Sequence, residues 1–494
     1  MLPSGIKQKT KFRSVVLGND FVKGRDCDTH TFAPNATVNT ARAKVYDAVV
    51  KGYCLKSCDV KQAYTFGQAD RRTFVHCPPG RSRNYDENGK PLVYELTGNC
   101  YGSPGAPKRW HIAVHNELIK LGFIQSTVDP SLYCKGDCST LVYTDDFLTS
   151  FPDTACGLRQ YTELVNMLTT KFELGDDGFQ DCTDFIGMHF EFNADRTAVH
   201  ITQPLKVDEL IEGAGLQECR PAFTPGVPNT LVSTRECPAI DDLKQIALMK
   251  TKCYKKRIGQ CLWLARGSRP DIAYQVNALS TVAHNPGIAH WNASTHLIRY
   301  ISHTRTMGVV YRRPTIAPTG PTIWSDATWA PNYGSYYDNY RSTSGNCISG
   351  NADGSNLLSW GATRQPIIAL SSAESETYSA SEVAKDAAYV KKVFTELKLP
   401  AQLPFILNCD NQSTIKQTLN FVDQKNSRHI GMRAHYLRFQ CHSNKLKLAF
   451  VPTNDQIADL LTKLVPQPLH ERLRLIMGVM PRHQFLGLPT CTSN

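Results

Sequence analysis

Nowhere in this 494-residue chain does an apolar run approach the roughly 18 unbroken residues that a membrane-spanning helix needs. The opening stretch, Met1-Leu-Pro-Ser-Gly-Ile-Lys-Gln-Lys-Thr-Lys-Phe-Arg13, has no apolar core of a secretory signal either. The expected protein therefore has no membrane partner. Internal repeats and low-complexity segments are also lacking, which excludes solenoids and compositional tails. The 17 cysteines are an odd number scattered along a chain too long to need a disulfide scaffold, so reduced thiols are expected. Cys54/Cys58 and Cys134/Cys138 lack a second Cys or His pair at zinc-site spacing and read as packing residues. With 41% hydrophobic and 20% charged residues, the chain can bury several cores, so wholesale disorder is excluded. Against 44 acids stand 55 Lys and Arg, a net charge of +11. That excess suits a polyanionic partner without selecting one.

Gly and Pro cluster at Pro78 to Gly80, Gly102 to Pro107, Pro221 to Pro228 and Pro314 to Pro321. The last two clusters read as linkers. Between them the stretches Leu243 to Leu264 and Ile288 to Ile301 carry apolar residues near helical spacing. After Pro321 short β-like segments appear at Thr322–Asp326, Ser344–Ser349 and Asn356–Trp360. A long helix capped by Ser371 or Ser372 should follow, with Val383, Ala387, Val390, Phe394 and Leu397 on its buried face. Then come a strand at Pro404–Cys409, a helix near Gln412 to Leu419, a strand at Leu446 to Val451 and a final helix opened by Thr453 or Asn454. This β-β-β-α-β-α-β-α order predicts a compact α/β domain with a mixed sheet.

The run Ser139-Thr-Leu-Val-Tyr143-Thr-Asp145-Asp146-Phe-Leu-Thr149 is apolar and β-rich, yet two adjacent carboxylates interrupt it. Buried strands do not normally carry bare charges. At a hairpin tip the pair would form an acidic point for a hard divalent cation, or simply an Asp-Asp turn. Asp59 closes an earlier β-compatible run, Cys58-Asp59-Val60-Lys61-Gln62-Ala63-Tyr64. Three carboxylates on neighbouring strands can hold two metal ions that activate a hydroxyl and stabilise a pyrophosphate leaving group.

In order and spacing, Asp59–Tyr64, Cys77-Pro-Pro-Gly80, Tyr101-Gly102 with Ala106-Pro107 and Trp110, Asp129–Tyr133, and Leu141–Asp146 resemble the reverse transcriptase of copia-type LTR retrotransposons. Similar motifs continue at Arg269-Pro270-Asp271-Ile272-Ala273, His290-Trp291 and Leu297–Tyr300. The resemblance implies that Asp59, Asp145 and Asp146 are polymerase metal ligands. It puts Tyr64 under the sugar of the incoming nucleotide, rejecting a 2′-hydroxyl, where core packing is the alternative. Gly102 would bring backbone close to the nucleotide, and Arg13 would contact its triphosphate unless it is simply solvated.

Downstream, Asp326, Glu376, Asp410 and Asp459 fall in turn on the first strand, the long helix, the end of the next strand and the last helix. Acids so placed can converge at one end of a sheet, where they would repel unless cations joined them. Glu374 competes with Glu376, but residues two apart on a helix do not share a face, and Glu376 is chosen. The order resembles the ribonuclease H active site. Arg341–Gly345, Ala369–Ser372, His429-Ile430 and Ala458-Asp459 are similar to the copia-type version. His429 could touch the phosphate backbone or be structural. The basic residues of Lys385–Lys398 and Arg428–Arg438 would form a duplex track or solvated helix faces.

The resemblance implies a multidomain α/β and α+β protein: a right-hand polymerase (palm, fingers, thumb) followed by a ribonuclease H-like mixed-sheet domain. Residues 1–225 would be fingers, palm and the start of the thumb. Residues 226–320 would be a mostly helical thumb and connection, 321–465 the ribonuclease H-like domain, and 466–494 a C-terminal tail. It further implies two Mg2+ per active site, with Mn2+ as the alternative ion. The partners would be an RNA template, a DNA primer, RNA/DNA hybrid and dNTPs. The location would be cytoplasmic, in a virus-like particle, or nuclear. Thr144, Gly102-Ser-Pro-Gly105, Thr328 and Thr65-Phe66 depart from the family pattern, and zinc-knuckle, aspartic-protease and integrase motifs are lacking. A polyprotein fragment or a decayed copy is therefore expected. The rival readings are an inactive relic that only binds nucleic acid and an integrase-type nuclease.

Overall fold

Two stretches, Met1–Thr37 and Cys54–Asp181, form one unit of the computed structural model, while Val38–Tyr53 and Cys182–Asn494 form another. The structure describes residues 15–25, 27–69, 71–77, 83–175, 178–331, 340–419 and 431–488. The break at 181/182 falls well before the expected boundary at 225. It also assigns helix α1 (Val38–Lys51) to the second unit, a placement that local sequence pattern does not encode.

In the first unit, β1 (Cys54–Asp59) is followed by a ribbon of β2 (Phe74–His76) and β3 (Val93–Glu95). Strands β4 (Ile124–Gln125), β5 (Leu132–Lys135), β6 (Cys138–Tyr143), β7 (Asp146–Phe151) and β8 (Gln180–Asp181) complete an antiparallel sheet. Its order is β4-β5-β6-β7-β1-β8, which leaves the two acid-bearing strands side by side. Helices α2 (Ala106–Lys120) and α3 (Ala155–Lys171) pack on it. Trp110, Val114 and Leu118 of α2 join Leu164, Met167 and Leu168 of α3 in one core with Val142, Phe147 and Phe151. Proline in the first turn of α2 and the Thr154 side chain accepting from Gly157 N at the start of α3 fix where these helices begin.

In the second unit, β9 (Asp184–Phe185), β10 (Met188–Phe192), β11 (Ala198–Thr202) and β12 (Met307–Arg312) pair antiparallel. Between β11 and β12 run α4 (Pro204–Ala214), α5 (Leu243–Lys250), α6 (Tyr254–Gly267), α7 (Ala273–Thr281) and α8 (Ile288–His303). The expected helical stretch Leu243 to Leu264 is thus broken at Thr251–Cys253. Arg269, only 1% exposed, pairs through two nitrogens with Asp271, which also accepts from the Tyr300 hydroxyl at 2.7 Å. This family-like segment is a structural ion pair.

The sheet that carries the second acid set has order β15-β14-β13-β16-β17, from β13 (Thr322–Thr328), β14 (Thr343–Ser349), β15 (Leu357–Arg364), β16 (Phe405–Cys409) and β17 (Leu446–Phe450). The first three strands are antiparallel, whereas β16 runs parallel to β13 and to β17. Helix α9 (Ser372–Glu396) is capped by the Ser371 side chain and buries Val383, Ala387, Val390 and Phe394. Helices α10 (Gln412–Leu419) and α11 (Gly431–His442) follow.

The stretch expected as a C-terminal tail contains regular elements. Helix α12 (Gln467–Ile476), β18 (Val479–Pro481) and α13 (Arg482–Phe485) occupy 467–485, and β18 adds to the β12 edge. A strand this short carries too few residues for alternation to reveal it. Among the described residues, no helix is long and apolar enough to cross a membrane.

Candidate active sites

Asp59 and Asp146 are direct partners in the β1–β7 register, and Tyr143 pairs with Asp146 across the β6–β7 hairpin. Thr144 and Asp145 therefore form its two-residue turn. Thr144 adopts φ +55°, a left-handed conformation that a β-branched residue rarely takes. Two contacts hold it there: Trp110 Nε1 donates to Thr144 O at 2.5 Å, and Val60 N donates to Asp145 O at 2.9 Å. Asp59 is exposed, while Asp145 and Asp146 are half-buried. Burial, then the charges of Asp145 and Asp59, push the Asp146 carboxyl from 3.8 up to about 6.

Tyr64 lies in a short 3₁₀ turn, Ala63–Phe66, its ring centroid 4.9 Å from that of Tyr101. Burial, then the Asp145 charge, raise its hydroxyl pKa, which places the ring beside the acidic turn. Gly102 has φ +89°, and a Cβ there would stand 2.0 Å from Val16 O. Close backbone packing against residues 15 and 16 thus requires this glycine without any nucleotide. Arg13 lies outside the described residues, as does His429.

The second cluster is deeper. Asp326 on β13, Glu376 on α9 and Asp459 are 3%, 5% and 1% exposed. Asp410 is half-buried just past β16. Single oxygens of Asp326, Asp410 and Asp459 lie within 4.8 Å of one another. Glu376 Oε1 accepts from Ala327 N at 3.2 Å, which ties the α9 acid to the Asp326 strand. Glu374 turns away and accepts from Leu370 N at 2.6 Å. Asp459 sits in a short 3₁₀ helix, Ile457–Leu461, rather than in a final helix opened by Thr453 or Asn454.

Gly345 explains how that turn reaches the sheet. It is the β14 partner of Asp326, and a Cβ on it would lie 2.5 Å from Thr462 Cγ2 and 2.8 Å from Ala458 O. Only glycine lets Ala458–Thr462 approach and deliver Asp459 to Asp326. Thr462 Oγ1 then donates to Asp326 Oδ2, and Thr453 Oγ1 donates to Asp410 Oδ2 at 3.1 Å.

Trp110 and Gly345 enter the sequence pattern only as motif letters and Lys463 does not enter it, yet the structure gives each a task. Lys463 Nζ is 3.0 Å from Asp459 Oδ1 and 3.7 Å from Asp326 Oδ2. Four carboxylates and one ammonium leave three unbalanced negative charges if all ionise. Burial first, then Asp326 and Asp410, raise the Glu376 pKa well above the carboxylate range. Burial and Asp326 raise Asp459 against the opposing pull of Lys463, and Asp410 also rises. Glu376 Oε2 lacks a hydrogen-bond partner among the described residues. Buried oxygens that repel and lack donors fit a hard divalent cation.

The family model for reverse transcriptase (RNA-dependent DNA polymerase) matches residues 4–228, the stretch that carries the facing carboxylates of β1 and β7 and the acid of the adjoining turn. The chain is similar to copia-type Pol polyproteins along most of its length. It is 26% identical over 484 residues to the retrovirus-related Pol polyprotein from transposon RE2 of Arabidopsis thaliana, covering 96% of this chain and 31% of that protein. Against the Pol polyprotein from transposon TNT 1-94 of Nicotiana tabacum it is 27% identical, covering 95% of this chain and 34% of that protein. The chain therefore spans about a third of the length of these relatives.

Among solved structures it matches a foamy viral protease-reverse transcriptase in complex with ds DNA, at 10% identity and TM-score 0.45, covering 83% of this chain and 59% of that one. It also matches RNase H1 from Halobacterium salinarum, at 14% identity and TM-score 0.22, covering 29% of this chain and 93% of that one.

Proposed function

We propose that this chain is an RNA-directed DNA polymerase that also cleaves the RNA strand of RNA/DNA hybrids. The observation that carries this reading is the β1–β7 register, which sets Asp59 against Asp146 with Asp145 in the adjoining turn. Two Mg2+ ions per site, or Mn2+, would supply nucleophile activation and leaving-group stabilisation. Asp59, Asp145 and Asp146 would hold them in the polymerase site, and Asp326, Glu376, Asp410 and Asp459 in the nuclease site. The ring of Tyr64, packed on Tyr101, would exclude a 2′-hydroxyl. The hairpin contacts from Trp110 and Val60 hold the acidic turn rigid, so little reorganisation is needed as the reacting phosphate arrives.

RNA template, DNA primer and dNTPs are the proposed ligands, and a cytoplasmic particle or the nucleus the proposed location. Glu376 on the first long helix after the three-stranded meander favours ribonuclease H over an integrase-type nuclease.

Primer extension on an RNA template with Mg2+ tests the polymerase. Wild type should incorporate dNTPs and Asp145→Asn should not. Equal incorporation by both would leave only the relic that binds nucleic acid. Cleavage of hybrid RNA by wild type but not by Asp410→Asn tests the nuclease.

A further inference from the structure

Beneath the second acid cluster lies a donor of different chemistry that the proposed reaction does not use. Cys409, the last residue of β16, is 0% exposed, and its Sγ, one Glu376 oxygen and one Asp410 oxygen all lie within 4.8 Å of one another. The thiol accepts from Asn411 N at 3.4 Å and donates to Asn411 O at 3.9 Å. Among the described residues its donor contact is therefore long and weak. Glu376, more than nine-tenths buried, contributes the unpartnered Oε2 to the same locality. An orphaned buried oxygen of this kind signals a missing ligand.

Magnesium takes oxygen ligands in near-octahedral geometry, whereas one sulfur with two carboxylates suits a softer ion with three or four ligands. We propose that Glu376, Cys409 and Asp410 form a binding site for a thiophilic divalent cation, Zn2+ or Cd2+, separate in donor set from the oxygen triad Asp326, Asp410 and Asp459. Asp410 belongs to both sets, and Glu376 is also one of the four acids proposed above to hold Mg2+. A soft cation on Cys409 therefore takes a ligand from the oxygen triad and inhibits whatever reaction that triad supports. On binding, the S–H bond breaks, the proton passes to solvent and a metal–sulfur bond forms, with no change of oxidation state. The inhibitory consequence rests on the nuclease reading, while binding itself does not.

The reduced, metal-stripped full chain is titrated with CdCl2 in the absence of nucleic acid, following thiolate-to-cadmium charge-transfer absorption in the ultraviolet and proton release. Because other cysteines contribute, the comparison is with Cys409→Ser, which should lose one equivalent of that absorption. Cadmium NMR of the wild type needs no variant and should show one ion bound by a single sulfur among oxygens. Identical titrations, or a spectrum with only all-oxygen or several-sulfur ions, overturn the site. In a hybrid-cleavage assay with excess Mg2+, one equivalent of Cd2+ should inhibit wild type and spare Cys409→Ser. Absence of cleavage by wild type removes the nuclease reading, while the cadmium spectra still decide the site.

Discussion

Replacing Asp146 with Asn should strengthen the metal-free first unit while destroying its capacity for catalysis. The Asp146 carboxyl is lifted from 3.8 to about 6, first by burial and then by Asp145 and Asp59. A pKa raised by roughly two pH units corresponds to about 3 kcal/mol of destabilisation once the group is ionised. Asparagine relieves the repulsion but is still removed from water, so about half of that, ~1.5 kcal/mol, should be recovered. The sign follows from the raised folded-state value. Below pH 3.8 the group is protonated in folded and unfolded chains alike and contributes nothing. As pH rises through about 6 the folded chain must ionise a group it disfavours, and the full penalty applies above that. Hydrogen exchange of the β1, β6 and β7 amides in EDTA reads this directly. At about pH 7.5 the variant should exchange about tenfold more slowly than wild type, and near pH 4 the two should converge. Equal protection at the higher pH, or a gain that persists at the lower one, would refute the electrostatic account of this turn.

Tyr64→Ala should admit ribonucleotides in primer extension, whereas Tyr64→Phe, which keeps the ring 4.9 Å from Tyr101, should reject them as wild type does. Gly102→Ala should lower stability by about 3 kcal/mol in urea unfolding, because it combines a φ of +89° with a Cβ 2.0 Å from Val16 O. Lys463→Met should destabilise the chain in EDTA by about 1 kcal/mol, the loss of a partly exposed ion pair, read as a lower melting temperature that Mg2+ raises more than in wild type.

Features written in short-range pattern were legible before any coordinates. The apolar, β-rich run Ser139–Thr149 and its charged interruption located the β6–β7 hairpin, and Ser371 with the apolar spacing from Val383 to Phe394 located α9. The seven acids were legible because charge in an apolar run needs a reason, and the structure gathers them into two groups. Features that depend on distant partners were not legible. Helix α1 has a buried Tyr46 whose ring lies 5.8 Å from Phe394 and 6.2 Å from Tyr311, residues far along the chain. No local signal assigns it to the second unit. Asp459 was put on a regular helix because Thr453 and Asn454 look like caps. The chain instead uses 3₁₀ turns, and Gly345 lets Ala458–Thr462 lie close against β14.

The two acid clusters differ in a way that sets how each meets its ions. Asp326, Asp410 and Asp459 already bring oxygens within 4.8 Å of one another, with Lys463 as a resident countercharge. Among the described residues, Asp59, Asp145 and Asp146 form no such close group, and Asp59 is exposed. Water screens Asp59, so the trio's own attraction for a cation is weaker than that of the buried set, and a triphosphate would have to bring further oxygens to complete the coordination shell. The second cluster has lost that water and gains more from each neutralised charge. Calorimetry with Mn2+ on the chain without nucleotide should therefore show binding that Asp326→Asn abolishes and Asp59→Asn leaves intact. Asp59→Asn should matter only once primer, template and dNTP are present. Nucleotide-free binding that depends on Asp59 would mean that the first trio closes by itself, and that exposure does not set the order in which ions arrive.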